Sequence, residues 1–504
     1  MSQPPQQPLG HKLRQGAAWT YLQGGLGALI QFGAGIVMAR LLDPSDFGVF
    51  FAVSAYVALL AAQVRFGLPS ALLQAREVNE QQWQSAFWVM QGIALLCTLA
   101  VFAASDWLSA FYRDARYADL MQLMCITFFL APFMVTSETR LRRDMEYPVI
   151  SRTRIIAKFS GTAVGIAAAF AGLGPYSLVA GGIFAAALST VMLGRITGWH
   201  ARAIFAPGSL RPLFSFGWRM HLNNSLSLAA NRVDNMLLGR LAGLDLLGIY
   251  NRAFAIARLP VDNICTPLYQ LVFGALSRIQ DDHAHSKLMF QKVLCAVTSA
   301  VFPLLLWLIF NAEAFIHFLY GDKWLPAAEP FRLLALGSFV LVISITLSSL
   351  AAAQNLIARQ TPIIALNLVL TIVAVIVGIR WGLIGVAAGI SAKILVTNVL
   401  LVRMMQRSHL EMGWQSILSA IAPALLATLF TLVPTAAAAL HFDALGWSPT
   451  GAAHFLAMSL LIGAGYSASW YLLARRRAGD PVVAANLELV QRLLARLLKR
   501  TRAT

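Results

Sequence analysis

The chain has 504 residues, of which 58% are hydrophobic and only 12% charged, yet its net charge is +17. A soluble globular domain carries roughly twice that charged share, so a string of soluble domains is excluded. The Lys and Arg excess falls between apolar runs and in the C-terminal tail, a placement that indicates membrane orientation and anionic lipid and argues against a nucleic-acid partner.

The first 16 residues, rich in Gln and Pro, lack the small-residue cleavage site of a signal peptide. They are expected to form a cytoplasmic tail, with the first helix retained as an anchor. Crossing a bilayer takes about 20 apolar residues in a form that satisfies every backbone group. Apolar runs predict helices over 17–39, 46–64, 84–104, 119–137, 155–173, 175–196, 213–239, 246–275, 290–310, 331–353, 361–379, 384–404, 417–440 and 451–474. The fold class is therefore an all-α polytopic membrane protein of about 14 transmembrane helices.

With the N-terminus cytoplasmic, seven cations fall on the opposite side: Arg40, Arg113, Arg116, Arg240, Lys323, Arg332 and Arg380. Four more, Arg232, Arg252, Arg258 and Lys393, fall inside helices, and the other 28 of the 39 are on the cytoplasmic side. That bias predicts both termini inside.

The chain also repeats. Residues 39–50, Ala-Arg-Leu-Leu-Asp-Pro-Ser-Asp-Phe-Gly-Val-Phe, align without gaps on residues 239–250, Gly-Arg-Leu-Ala-Gly-Leu-Asp-Leu-Leu-Gly-Ile-Tyr. Arg40, Leu41 and Gly48 meet Arg240, Leu241 and Gly248. Six helices separate the copies, which predicts a parallel repeat about an axis normal to the membrane. Two pseudo-symmetric six-helix lobes, 17–196 and 213–404, would be joined by a cytoplasmic linker, 197–212, with helices 13 and 14 appended over 417–474. In the tail, 475–504, leucines at helical spacing among Arg492, Arg496, Lys499 and Arg500 predict an interfacial amphipathic helix over 486–500.

Helix 7 is the least apolar span. Asn224, Asn231 and Asn235 fall within about 40° of one another on a continuous helix, and lipid disfavours such a stripe, so it should face a cavity or another helix. Helix 8 adds Arg252, Arg258 and Asp262 around Pro260, and helix 12 places Lys393 near its middle. Four cations, Arg232, Arg252, Arg258 and Lys393, would face two acids, Asp234 and Asp262. An inner cavity of net positive charge suits a phosphate, which guanidinium binds in bidentate fashion, so these cations and the three asparagines are the candidate substrate-binding residues, with pyrophosphate on a lipid as one fitting ligand. Asp234 and Asp262 have two readings, as coupling groups or as counter-ions. The competing account pairs Arg258 with Asp262, one helical turn apart, and Asp234 with Arg252.

Other features are plainer. Cys97, Cys125, Cys265 and Cys295 lack CxxC spacing and read as packing residues. The glycines of helix 1 have no βαβ context. The stretch 138–146, Glu-Thr-Arg-Leu-Arg-Arg-Asp-Met-Glu, reads as a solvated cytoplasmic turn, with phosphate contact at the entrance as the other reading. No nucleophile, nucleotide loop or metal spacing stands out, so catalytic residues, cofactors and metals are not expected. A membrane glycosyltransferase or ligase would group its acids in an external loop, and residues 310–331 offer only Glu313, His317, Asp322 and Glu329, loosely spaced.

The stretches Phe214-Ser-Phe-Gly-Trp218, Asn231-Arg-Val-Asp-Asn-Met-Leu-Leu-Gly-Arg240, Leu247-Gly-Ile-Tyr-Asn-Arg-Ala-Phe254, Leu259-Pro260 and 275–282 resemble the polysaccharide-transporter (Wzx-type) flippases. Residues 16–56 are similar to that family's first helix pair, and beyond about residue 330 only hydropathy agrees. The resemblance implies the multidrug/oligosaccharidyl-lipid/polysaccharide exporter superfamily, with its MATE-like fold of two six-helix lobes about a central cavity and alternating access. It also implies an undecaprenyl-pyrophosphate-linked oligosaccharide as substrate, carried from the cytoplasmic to the periplasmic leaflet of the bacterial inner membrane. Polysaccharide polymerase and export machinery would be functional partners, and cavity cations would meet the pyrophosphate. A drug exporter of the same superfamily needs acids in its cavity, and helix 1 has none between Trp19 and Met38. A lipid II flippase would share the cationic cavity.

Overall fold

A computed structural model describes residues 9–265, 276, 279, 282–354, 356–410, 412–477, 479–488 and 491. Among them every regular element is helical. Numbered in chain order, the helices are α1 Leu9–Leu41, α2 Pro44–Arg65, α3 Leu68–Gln74, α4 Glu80–Tyr112, α5 Arg116–Met124, α6 Ile126–Arg143, α7 Tyr147–Phe170, α8 Tyr176–Thr197, α9 Arg211–Ala230, α10 Val233–Leu241 and α11 Leu244–Pro260. They continue as α12 His283–Phe310, α13 Ala312–Tyr320, α14 Ala328–Ala353, α15 Ile357–Gly378, α16 Gly382–Gln406, α17 Trp414–Ala444 and α18 Ala452–Arg476. Among the described residues ten stretches are long and apolar enough to cross a membrane, and one of these, Arg359–Gln406, contains most of α15 and all of α16.

The helices carry large apolar side chains outward as well as inward: Leu29, Leu96, Phe159, Phe170, Val433 and Leu460 are all exposed. Hydrocarbon solvates that surface, and each helix keeps its backbone hydrogen bonds to itself. The chain is a multi-pass membrane protein. All four cysteines are buried free thiols.

Contacts divide the chain into two compact units, 1–249 and 250–504. In the first, α7 packs between α1 and α8, and α6 packs on α8. The N-terminus of α4 is closed by a capping box, in which Asn79 accepts from the Gln82 amide at 2.9 Å and donates its own amide to Gln82 at 3.1 Å. In the second unit α14 packs on α12 and α16, and α17 packs on α12 and α18. Leu294, Leu347, Leu350, Val402 and Met405 form part of one continuous core.

Several predicted spans are interrupted or longer. The span 213–239 is two helices, because α9 ends at Ala230 and α10 starts at Val233. Asn231 Nδ2 donates to the Ser227 carbonyl at 2.8 Å, and such a side chain competes with the helical ladder where it would otherwise continue. The span 119–137 is likewise α5 and α6, meeting at Cys125. The span 246–275 changes after Pro260 into a π-helical turn, Val261–Cys265, since proline withholds an amide from the ladder. Its remainder, most of 275–282, the N-terminal eight residues and nearly all of the expected tail helix lie outside the described residues.

Helix α7 starts at Tyr147, eight residues before the predicted 155. Lys158, left at the cytoplasmic mouth by the shorter span, therefore sits eleven residues inside, about 16 Å along the axis. Residues 138–143 are the last turns of α6 and not a solvated turn.

The repeat copies touch each other inside the first unit, and reciprocally. A Cβ on Gly48 would lie 1.8 Å from the Leu244 carbonyl oxygen, and one on Gly248 would lie 1.9 Å from that of Pro44. Pro44 and Leu244 are themselves equivalent in the alignment. Only glycine lets the starts of α2 and α11 approach this closely.

Candidate functional site: cations within the helical units

In the first unit, the ends of α2, α3 and α6 meet α7 and α9 around a cavity of about 440 Å3. Arg65, Arg142 and Arg154 line it, together with Glu138, His221 and Asn224. Glu138 holds two of the guanidiniums: Arg142 approaches it at 2.6 Å, and Arg154 Nη2 donates to both carboxylate oxygens at 2.7 and 2.8 Å. The carboxylate is only 8% exposed, while Arg142 and Arg154 are 40% and 42% exposed. The acid is thus buried behind the cations it orients.

Neighbouring groups fix this end of the unit. Arg143 donates to the carbonyls of Ala75 at 2.7 Å and Arg76 at 3.1 Å, tying α6 to the end of α3. Arg140 pairs with Glu80 and lies over the rings of Trp83 and Trp199. His221 bonds Gln63 at 2.9 Å and stacks on Phe66 with centroids 4.7 Å apart. Phe66 itself adopts φ 42°, a left-handed turn that ends α2 and redirects the chain into α3. One turn along α7 from Arg154, Lys158 Nζ bonds Gln31 Oε1 of α1 at 3.0 Å.

Sequence reasoning missed Arg65, Arg154 and Lys158 as site candidates, and reached Arg142 only through the second reading of 138–146 as a phosphate contact. The pairing of Glu138 with Arg142, four apart, was a visible signal for it. Of the candidates it did name in this unit, Asn224 lines the cavity. Asn231 caps α9 and is exposed, Arg232 precedes α10 half-buried, and Asp234 and Asn235 are buried in the first turn of α10. With the helix broken at 231–232, the three asparagines do not form one continuous stripe.

In the second unit, Arg258 and Asp262 form the local ion pair, at 2.8 Å, and Arg258 also lies over Phe254. Arg252 lies over Tyr320 and Trp324, 5.6 and 5.7 Å from their ring centroids. Burial pushes the Tyr320 hydroxyl upward in pKa, and the Arg252 charge opposes it. Lys393 Nζ donates to Thr371 Oγ1 at 2.7 Å, beside an apolar groove of about 600 Å3 lined by Val373, Val377, Trp381 and Ile384. The loop acids are engaged with basic partners: Arg332 pairs with Glu313 at 3.0 Å and with Glu329, and His317 bonds Asp322 at 2.6 Å.

A model of the family described as polysaccharide biosynthesis protein matches residues 37–329, more than half of the chain. The chain belongs to this family. It is similar to the lipopolysaccharide biosynthesis protein WzxC of Escherichia coli K12, with 23% identity over 78% of this chain and 80% of the relative. Among solved structures it resembles the lipid II flippase MurJ in an inward closed conformation, with a TM-score of 0.73 at 15% identity over 92% of this chain and 99% of that one. It also resembles an inward-facing MATE-family multidrug transporter, with a TM-score of 0.59 at 14% identity over 76% and 96%. This member of the polysaccharide biosynthesis family therefore has the fold of the MurJ and MATE transporters.

Proposed function

We propose that this protein is a flippase that carries undecaprenyl-pyrophosphate-linked oligosaccharide from the cytoplasmic to the periplasmic leaflet of a bacterial inner membrane. In this reading about 14 helices form two six-helix lobes and an appended pair that work by alternating access, with both termini cytoplasmic. The reading rests on family membership and, chemically, on one observation. In the first unit Lys158 lies within α7 and Arg232 between α9 and α10, and in the second Arg252 and Arg258 lie within α11 and Lys393 within α16, with Asp234 close to Arg232 and Asp262 close to Arg258 in sequence. Charge held at membrane depth is costly and marks function, and an excess of cations fits a diphosphate rather than a cationic drug.

Arg232, Arg252, Arg258 and Lys393, with Asn224, Asn231 and Asn235, are the proposed contacts for pyrophosphate and glycan. Asp234 and Asp262 serve as counter-ions or coupling groups, and the ion pair of Arg258 with Asp262 supports the counter-ion role for Asp262 in this conformation. A polymerase and an export apparatus would consume the translocated product. Deletion of the gene followed by lipid extraction tests the proposal. Accumulation of a complete lipid-linked repeat unit and loss of surface polysaccharide, both reversed by the intact gene, is the expected result. Unchanged glycolipids with altered drug sensitivity would refute it.

A further inference from the structure

The cavity of the first unit, among α2, α3, α6, α7 and α9, has a chemistry of its own. Three guanidiniums, Arg65, Arg142 and Arg154, and one carboxylate, Glu138, line it, an excess of two positive charges. Glu138 is nearly covered, so what the cavity meets is guanidinium. A volume of about 440 Å3 falls within the range of small-molecule sites, about 300–1,000 Å3. Asn224 and His221 supply neutral polar groups at its wall.

We propose that this cavity is a binding site for a phosphate or diphosphate group, with Arg65, Arg142 and Arg154 as its ligands and Glu138 as the buried group that orients two of them. Guanidinium forks match phosphate oxygens in pairs, and the Glu138 bridge removes part of the rotamer freedom that would otherwise be lost on binding. Lys158 is the next cation along α7, so an anion leaving the cavity toward the membrane centre meets a second positive charge one helical turn on. That the anion is the head of a lipid-linked sugar rests on the flippase reading; a free phosphate has the same chemistry.

The test uses the full-length protein in lipid nanodiscs, titrated calorimetrically with inorganic pyrophosphate and, separately, with polyprenyl pyrophosphate. Arg65→Gln, which leaves the Glu138 bridge intact, should weaken pyrophosphate binding about threefold to tenfold. Glu138→Gln should weaken it about threefold or more, because Arg142 and Arg154 lose the carboxylate that orients them. Should Glu138→Gln fail to fold, Arg154→Gln takes its place and should weaken binding as Arg65→Gln does. Absence of binding, or equal affinity in the wild type and the folded variants, overturns the proposal. Tighter binding of the polyprenyl form, lost in the same variants, identifies a lipid headgroup, whereas equal binding of both probes identifies a free anion, and either supports the site. Lipid-linked oligosaccharide accumulating in the deletion strain while binding ignores these substitutions would leave the flippase reading standing and sink the cavity. Substitution-sensitive binding without such accumulation would do the reverse.

Discussion

The reciprocal approach of Gly48 and Gly248 invites a direct perturbation, Gly48→Ala. The added Cβ would sit 1.8 Å from the Leu244 carbonyl, about 1.2 Å inside the 3.0 Å limit that real Cβ contacts respect. Backbone cannot rotate out of the way as a side chain does, so the starts of α2 and α11 must separate. Overpacking of this kind costs about 1–3 kcal/mol, which for a unit of this size lowers the melting midpoint by roughly 2–12 °C. Gly248→Ala, at 1.9 Å from the Pro44 carbonyl, should cost a similar amount. The double variant carries the sharper test. One separation relieves both clashes, so its cost should fall short of the sum of the singles by about 0.5 kcal/mol or more. Thermal midpoints of the purified protein in detergent measure all three, with Gly33→Ala as control, since nothing lies within 4 Å of a Cβ there. Singles that melt with the control, or strictly additive losses, would refute the reciprocal crossing.

Arg258→Ala and Lys393→Ala should each abolish polysaccharide output while membrane insertion, followed by immunoblot of the membrane fraction, stays normal; full output from both would remove the cationic-cavity reading. Lys158→Met should lower output severalfold and Lys158→Arg should restore much of it, in the same complementation assay; equal output from both would show that the charge is idle. Truncation after Arg477 should reduce abundance more than turnover per molecule. It removes Val483, which is buried against Tyr466, Trp470 and Ala427, and Asn486, which donates to the Lys292 carbonyl at 3.2 Å. The lost apolar burial is worth about 1.5–3 kcal/mol for the valine. A normally abundant but inactive truncated protein would contradict this.

Helix class and most spans were legible because lipid imposes one rule on the whole chain, that each crossing be apolar and internally hydrogen-bonded. Predicted 175–196 and observed Tyr176–Thr197 differ by one residue at each end. What hydropathy does not encode is where a helix stops short of a loop. The break at Asn231–Arg232 is made by a side chain bonding the preceding turn, and the change after Pro260 by a missing amide. Both sit inside apolar periodicity that continues across them. The early start of α7 is the opposite case: Arg152 and Arg154 made the first two turns look like a loop.

That last misreading shows why the site was only half legible. Cations were sought where apolar runs contained them, which found Arg252, Arg258 and Lys393, and were dismissed where they flanked a run. Their partners lie on other helices and leave no local trace: Arg154 is held by the Glu138 carboxylate from α6, and Lys158 donates to the Gln31 side-chain carbonyl from α1. A flanking arginine paired with a buried acid is structurally different from one that trails into water, because burial of the acid fixes the guanidinium. The repeat carries a matching lesson. Leu-Gly-Ile-Tyr reads as family signature in sequence, but its glycine is required by the approach of an equivalent backbone 200 positions away. Sequence shows that two segments are alike; only the fold shows that they meet.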